Sequence, residues 1–299
     1  MATSNDSRLL VTGASGNLGK LVVHHLLNTL KVEPSRIVAG SRNPDKLKEL
    51  TDKGVLTRRI DFNDAASVEA ASEGVERALL VSSDDLFGRV EAHKTAVRAF
   101  AAAGVKHVLY TSLQEADASV AKVADDHRAT EKAIRESGIP GYTFLRNGLY
   151  FENTIGNIIG ASKSGQWYSA AKDGKLAAIS RDDLARAAAY ALASSNSENK
   201  VYELTGSEAL TVDEIVAQIS KTIEKPIQVV QVPVEGLAAG IAAATGLPDA
   251  IAKIYASFDT NTAEGYVATV TDHYKQLTGV DPQTHEEWLA ANKAFLLSL

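Results

Sequence analysis

Residues 8–20 read RLLVTGASGNLGK, and they combine three local patterns. Its first five residues are a short, mostly apolar run that is typical of a β-strand. The segment from Leu18 to Leu27 carries apolar side chains at helical spacing. Between the two, Gly13, Gly16 and Gly19 follow one another at three-residue steps. The order of strand, glycine-rich turn and helix predicts the opening unit of a Rossmann-type fold.

Each glycine of this turn has a physical reason to be there in a dinucleotide site. Gly13 permits a tight turn, Gly16 lets the backbone approach a pyrophosphate, and Gly19 allows the helix to pack closely on the strand. Free N–H groups at the start of the helix face the phosphates. The spacing G-x-x-G-x-x-G is a variant of the usual G-x-G-x-x-G, and the alternative is a purely structural turn. We favour a dinucleotide-binding loop because the glycines stand directly between strand and helix.

The rest of the N-terminal half alternates strands with helices, which predicts a doubly wound parallel sheet of the α/β class. The predicted strands are 36–40, 55–60, 77–81, 107–111 and 142–146, and the first predicted helices after the turn are 44–54, 64–73, 86–103 and 125–137. Further along the chain, 200–204 and 226–232 are strand-like. We expect a Rossmann-type cofactor domain over residues 1–150, to which residues 175–206 return. Residues 151–174 and 207–299 then form a smaller, mainly helical lobe that covers the substrate.

The composition excludes several classes of function. Lys and Arg number 31 against 37 Asp and Glu, a net charge of −6, which argues against the basic face that nucleic acids or anionic membranes require. The chain has no cysteine and its histidines lack ligand spacing, so we expect no metal site. The N-terminus is polar and lacks the apolar core of a signal peptide. We therefore expect a cytoplasmic protein, monomeric or homodimeric, that acts on a small molecule.

The residues after the second strand indicate which dinucleotide binds. An NAD site usually offers a carboxylate to the adenosine ribose here, whereas an NADP site offers a cation to the 2′-phosphate. The sequence at 40–46 is GSRNPDK, so Arg42 stands where the acid would be and Lys46 follows one helical turn later. A planar guanidinium makes charge-assisted hydrogen bonds to phosphate, and we predict NADPH. The alternative is that both cations are solvated charges at a helix start.

The usual catalytic pair of such reductases is missing from its usual place. In many of them a Tyr-x-x-x-Lys pair lies on the helix after the fifth strand, where the phenol donates a proton. That spacing occurs here only at Tyr168 and Lys172, beyond the sixth strand and between two glycines, which predicts a loop or short strand. On the expected helix, DDHRATEKAI at 125–134 places His127 and Glu131 at the same spacing. His127 is either close to the nicotinamide or an ordinary residue of that helix.

At this point the chain resembles a known family, the NmrA-like atypical short-chain dehydrogenase/reductases. It is most similar to their branch of type 2 NAD(P)H:quinone oxidoreductases and triphenylmethane reductases. The resemblance rests on VTGASGNLG, SRNPDK, LLVSS, YTSL, HRATEKAI and YTFLRNGLYFEN, and it continues through AAKDGKLAAISRDDLA and ENKVYELTG. It implies an NADPH-dependent oxidoreductase that passes hydride to quinones or similar electron-poor conjugated acceptors, with neither metal nor flavin. The family also lacks the Tyr and Lys pair, and a hydrogen-bond donor or water can suffice for a quinone oxyanion.

The resemblance also assigns roles to individual positions of this chain. The implied cofactor contacts are Gly13, Ser15, Gly16, Asn17, Leu18, Arg42, Ser82, Ser83, Arg146, Asn147 and Gly148. His127 and Tyr150 are the candidate catalytic residues, and Tyr150 is either an aromatic lid over the substrate or ordinary packing. The segment SSDDLFG at 82–88 departs from the family pattern, so the shape of the substrate stays open.

Two other functions remain open from the sequence. One is an NADP(H)-binding, redox-sensing regulator of the NmrA type, which binds a protein partner without turnover. The other is a reductase of carbonyls, imines or dyes. Turnover of NADPH with a quinone separates the first of these from a quinone reductase.

Overall fold

A computed structural model describes residues 7–299 of the chain. Residues 1–6, part of the segment on which the expected absence of a signal peptide rests, lie outside the described residues. The strands are β1 (Arg8–Val11), β2 (Ile37–Ser41), β3 (Leu56–Arg59), β4 (Val75–Leu80), β5 (His107–Leu113), β6 (Gly141–Asn147), β7 (Gln166–Ser169), β8 (Lys175–Leu176), β9 (Lys200–Leu204), β10 (Leu210–Thr211) and β11 (Gln228–Gln231).

The α-helices of residues 7–299 are α1 (Asn17–His24), α2 (Lys48–Thr51), α3 (Ala65–Ala71), α4 (Arg89–Ala102), α5 (Ala124–Arg135), α6 (Ile155–Ser164), α7 (Arg181–Ala193), α8 (Val212–Ile223), α9 (Val234–Thr245), α10 (Asp249–Ala263), α11 (His273–Thr278) and α12 (His285–Leu297). A π-helical turn, His25–Thr29, continues α1, and a 3₁₀ turn, Pro44–Leu47, precedes α2.

The main sheet has seven parallel strands in the order β3-β2-β1-β4-β5-β6-β9. Helices cover both faces, so an interior strand such as β2 is buried along its whole length. Neighbouring residues of one strand face opposite layers: Leu9 packs in the cluster that includes residues of α1 and α7, and Leu10 in the cluster that includes residues of α3 and α4. The predicted doubly wound, Rossmann-type α/β fold is confirmed.

The C-terminal part is a mainly helical lobe, as predicted. Its core contains Trp167, Ile219 and Trp288, from β7, α8 and α12. Two small sheets accompany it, because β7 pairs with β11 in parallel and β8 pairs with β10 antiparallel. Within residues 7–299 no helix is long and apolar enough to cross a membrane. The division of the chain into domains near residue 150 stays a prediction.

Two elements differ from the sequence prediction. The segment at 175–179, the start of the stretch expected to return to the cofactor domain, forms only the short strand Lys175–Leu176 outside the main sheet, because the two alanines that follow have little preference for a strand. Ile179 forms a single bridge with Tyr150 instead. Helix α6 was not predicted, since Gly156 and Gly160 weaken its pattern.

Candidate active site

The fold places the candidate residues along one edge of the sheet. From β1 the chain first builds strands β2 and β3 to one side, and then β4, β5, β6 and β9 to the other. A crevice therefore opens at the carboxyl ends of β1 and β4, the position where ligands bind in open α/β sheets. Four segments reach this edge: the turn after β1, the end of β2, the loop after β4 and the segment after β6.

The glycine-rich turn has the geometry of a phosphate cradle. Gly13 adopts a φ of 60°, which glycine tolerates without strain, and the Gly16 N–H donates to the Gly13 carbonyl at 2.9 Å. A Cβ on Gly19 would collide with that carbonyl, so only glycine lets α1 begin so close to β1. Gly16 caps α1 without a side-chain hydrogen bond, and the first turn of α1 carries no acid. The helix start therefore fits an anion.

The residues within this turn divide into two groups. Ser15, Gly16 and Asn17 are exposed, whereas Leu18 is buried in the core and anchors the helix. The Ser15 hydroxyl lies 2.8 Å from the hydroxyl of Ser41, the last residue of β2. This hydrogen bond ties the glycine-rich turn to the end of the second strand.

Arg42 follows Ser41 directly and is exposed. Across residues 7–299 its guanidinium forms no hydrogen bond or ion pair. The next residue, Asn43, is held by the Ser41 hydroxyl, and its side chain caps the 3₁₀ turn at Asp45. Arg42 therefore projects from an ordered turn beside the phosphate cradle, and it fits a 2′-phosphate.

The loop after β4 is fixed through its backbone. The Ser82 N–H donates to the Thr111 hydroxyl at 2.8 Å, and the Ser83 N–H donates to Nε2 of His93 at 3.0 Å. Both serines are half-buried; the Ser82 hydroxyl accepts from Thr111 at 3.4 Å, and the Ser83 hydroxyl accepts from the Asp85 N–H at 3.1 Å. His93, fully buried on α4, was not recognised from the sequence, because a histidine on a buried helix face has no distinguishing motif.

The segment after β6 contains an unsatisfied buried acceptor. The Asn147 side chain donates to the Tyr150 hydroxyl at 3.3 Å, while its buried Oδ1 has no partner in the described part of the chain. A Cβ on Gly148 would lie 3.1 Å from the carbonyl oxygens of Ala177 and Leu204, so the backbone is tightly held here. The free oxygen of Asn147 fits an amide donor such as a nicotinamide carboxamide.

Tyr150 lies against the core on the α1 and α7 side of the sheet. The Arg181 guanidinium stands over its ring at 5.3 Å from the centroid. Burial raises the pKa of the Tyr150 phenol, so the hydroxyl stays protonated at neutral pH. The ring is thus a rigid wall with one hydroxyl bonded to Asn147.

Arg146 does not fit the role that the resemblance implied. It is 7% exposed, and its guanidinium donates to Glu131 at 2.9 and 2.8 Å, to Asp117 at 2.8 Å and to Glu203 at 3.2 Å. Three carboxylates therefore occupy its donors, which leaves little capacity for a cofactor phosphate. We leave Arg146 out of the cofactor site and assign it to a buried ion-pair cluster.

The positions that match the missing Tyr and Lys pair point into the sheet. His127 Nδ1 lies 2.8 Å from the hydroxyl of Tyr110, and Glu131 accepts from the Ser112 hydroxyl at 2.7 Å. His127 and Glu131, one helical turn apart on α5, thus contact Tyr110 and Ser112, two residues apart on β5. Burial, together with Arg89 and His93, lowers the pKa of His127 to about 3, so the ring is neutral. Its Nε2 has no protein partner in residues 7–299 and is not fully enclosed.

The other Tyr-x-x-x-Lys match is remote from this arrangement. Tyr168 lies on β7, is 50% exposed, and donates to the side chain of Gln166. Lys172 adopts a φ of 52° in the turn that follows. The prediction that this segment is not a helix is confirmed, and the two side chains are not stacked as one site.

A cleft of about 620 Å³ lies next to the crevice. Its walls come from the loop after β4, the segment before α5, the start of α5 and helix α10, and they include Leu86, Val120, Val123 and Ile254. Phe87, the neighbour of Leu86, is among the most exposed apolar side chains described. No group of three metal-ligating side chains occurs in the described residues.

The comparison with known families identifies the class of this fold and site. The NmrA-like family model matches residues 5–289, and the chain belongs to this family.

Among individual proteins, the chain is 39% identical to quinone oxidoreductase 2 of Escherichia coli over 257 residues, which cover 86% of this chain and 88% of that protein. It is 28% identical to the NAD(P)H azoreductase of Xenophilus azovorans, with 96% and 98% covered.

Solved structures give the same picture. The NADPH complex of the E. coli NADPH-dependent quinone oxidoreductase superposes with a TM-score of 0.89 at 37% identity, covering 94% of this chain and 98% of that one. The NADP(H) complex of Citrobacter triphenylmethane reductase gives 0.84 at 34% identity, with 95% and 99% covered. The family resemblance drawn from the sequence motifs is confirmed.

Proposed function

We propose that this protein is an NADPH-dependent oxidoreductase that transfers hydride to quinones or similar electron-poor conjugated acceptors. The observation that carries the proposal is the exposed Arg42 at the end of β2, tied through Ser41 and Ser15 to a glycine-rich phosphate cradle. The names of the relatives, which include a quinone oxidoreductase and an azoreductase, support the same chemistry.

The proposed cofactor site follows the crevice from one end to the other. The turn after β1 holds the pyrophosphate through Gly13, Ser15, Gly16 and Asn17, with Leu18 as the anchor of the helix. Arg42 binds the 2′-phosphate. Ser82 and Ser83 line the middle, and Asn147 and Gly148 form the far end. When bound there, NADPH supplies a hydride from its nicotinamide ring.

His127 and Tyr150 are the proposed catalytic residues. Hydride transfer to a quinone leaves negative charge on an oxygen, and a positioned donor stabilises that charge. The Nε2 of His127 is suited to this role, because it is unpaired within the described residues and the ring is neutral. Tyr150 bounds the site next to Asn147 and keeps its proton.

We propose the cleft beside Leu86 and Ile254 as the entrance for the acceptor. Its walls mix apolar and charged side chains, which suits a flat, conjugated molecule with polar edges. Phe87, in the segment that departs from the family pattern, adds an exposed aromatic ring at the same loop.

Oxidation of NADPH in the presence of menadione tests this function. We expect steady turnover that exceeds the rate with NADH at equal concentrations, and no turnover by a Gly16→Val variant. Tight NADPH binding without oxidation by quinones, azo dyes or triphenylmethane dyes would instead favour the redox-sensing regulator. No observation in residues 7–299 favours that alternative. The cytoplasmic location and the monomeric or homodimeric state stay predictions.

A further inference from the structure

Tyr110 is a fully buried side chain whose hydroxyl meets the candidate donor. It lies on β5, and its hydroxyl lies 2.8 Å from Nδ1 of His127, with the Thr130 hydroxyl as a second neighbour. A hydrogen bond to a histidine ring can run in either direction, and the direction decides which nitrogen carries the hydrogen. The hydrogen bonds of the neighbouring groups favour one direction.

A series of hydrogen bonds beside Tyr110 fixes the tautomer of His93. The Ser83 N–H donates to Nε2 of His93, so the neutral His93 ring carries its hydrogen on Nδ1. That Nδ1–H donates to the Thr130 hydroxyl at 3.0 Å, and Thr130 donates to the Asp126 carbonyl at 2.9 Å. The Thr130 hydroxyl has thereby used its hydrogen and one lone pair, and Nδ1 of His127 is the stronger acceptor beside the Tyr110 hydroxyl, so we assign the Tyr110 hydrogen to it. A donated bond at Nδ1 leaves the ring hydrogen of His127 on Nε2.

The two buried histidines therefore hold opposite tautomers. His93 points the lone pair of its Nε2 at the backbone of the loop after β4, whereas His127 carries its hydrogen on Nε2, which has no partner among residues 7–299. Because Tyr110 is the group that contacts Nδ1 of His127, its phenol is the group that enforces the second arrangement. A Tyr110 that accepted from Nδ1 would leave Nε2 with a lone pair, which cannot stabilise an oxyanion.

We infer that Tyr110 is a positioning residue that fixes His127 as the Nε2–H tautomer, so that a neutral imidazole donates to the oxyanion of the acceptor. The inference deepens the proposed function and rests on it. A quinone that accepts hydride becomes a hydroquinone monoanion, the cofactor becomes oxidised, and water supplies the second proton. The His127 hydrogen stabilises the anion without leaving the ring.

The charges around His127 keep it neutral. Arg89 and His93 face it from α4, Tyr110 from β5, and Asp126 and Glu131 lie near it on α5. Burial, Arg89 and His93 lower its pKa to about 3, so its protonation does not change between pH 5 and pH 8. Turnover limited by hydride transfer is therefore expected to show no histidine titration in that range.

The test combines Tyr110→Phe with nitrogen NMR of histidine-labelled protein. The chain has seven histidines, and the His127 signals are identified by their loss in His127→Gln. We expect an Nε2–H signature for His127 and an Nδ1–H signature for His93 in the wild type. In Tyr110→Phe we expect mixed tautomers at His127 and a kcat with menadione that is about 10- to 100-fold lower, with an unchanged KM for NADPH.

Tyr142→Phe is the matched control, because Tyr142 lies on the adjacent strand β6, stacks on Phe144, and its hydroxyl bonds no other described side chain. We expect full activity there. If Tyr110→Phe does not fold, His127→Gln and His127→Leu decide the question. A glutamine offers Tyr110 an acceptor and the site an N–H, so it should retain far more activity than leucine.

An Nδ1–H signature at His127 in the wild type, or an unchanged kcat in folded Tyr110→Phe, overturns the inference. Equal losses in His127→Gln and His127→Leu do the same. If the wild type reduces no acceptor at all, the proposed function fails and the catalytic role of the tautomer fails with it. If the wild type turns over normally but His127 shows a mixture of tautomers, this inference fails and the proposed function stands.

Discussion

The two ends of the crevice differ in the exposure and hydrogen bonding of their polar side chains. At the β1 and β2 end, Ser15, Asn17 and Arg42 are exposed around a helix start that lacks a side-chain cap. At the β5 and β6 end, Arg146 and Glu131 are buried and bonded to each other. The first end has donors ready for a ligand, and the second has already used most of its donors on the protein. The first end therefore offers free donors to a ligand, whereas at the second end a buried ion-pair cluster supports the strands that carry the proposed reacting groups.

The largest effect should come from blocking the exposed end. In Gly16→Val a branched side chain enters the space that the phosphates need, where even a Cβ lies 3.2 Å from the Gly13 carbonyl. We expect no detectable binding of NADPH or NADH by fluorescence titration, and a folded protein. Gly156→Ala on α6, where a Cβ meets open space, is the control. Retained affinity in Gly16→Val would place the phosphates elsewhere.

The next largest effect is expected at the buried end, as a loss of unfolding free energy. Glu131→Gln removes a charge that is 1% exposed and paired with Arg146, and breaking a buried pair costs about 3 kcal/mol of the unfolding free energy. Denaturant unfolding measures this loss. Glu69→Gln, at an exposed position on α3, should change stability little. An unchanged unfolding free energy with a lost NADPH affinity would instead make the cluster part of the cofactor site.

This contrast also explains what the sequence could predict. The strand, turn and helix around Gly13 are encoded within a few residues, and Arg42 follows its strand directly, so their positions could be predicted from the sequence. The ion pairs of Arg146 could not, because its partners Glu131 and Glu203 lie 15 and 57 residues away and meet it only through the sheet order. The bond between Tyr110 and His127 likewise depends on how α5 packs on β5.

Arg42→Ala, at the exposed end of the crevice, should affect cofactor binding alone. We expect NADPH to lose about 1–3 kcal/mol of binding free energy, the contribution of a charged hydrogen bond, while NADH affinity stays unchanged. Titration of both cofactors measures the difference, and the unfolding midpoint should not move, because Arg42 has no partner among residues 7–299. Arg98→Ala, an exposed arginine on α4, is the control. Equal losses for the two cofactors would contradict the assignment of the 2′-phosphate.

The smallest effect is expected at the pair that looks most catalytic in the sequence. A proton-donating tyrosine and its lysine partner must share one face of a helix, and losing such an acid usually lowers turnover by about 10²-fold or more. Tyr168 instead lies half-exposed on β7, and Lys172 lies in a left-handed turn, so neither reaches the crevice edge as a pair.

We therefore expect Tyr168→Phe and Lys172→Ala to keep wild-type turnover with NADPH and menadione, while His127→Ala, compared in the same assay, loses more. Folding of each variant is checked by its unfolding midpoint. A collapse of turnover confined to Tyr168→Phe and Lys172→Ala would move the chemistry to the lobe and leave the crevice at β4 to β6 as a binding site only. The comparison between the two ends of the crevice would then lose its functional meaning, because neither end would hold the reacting groups.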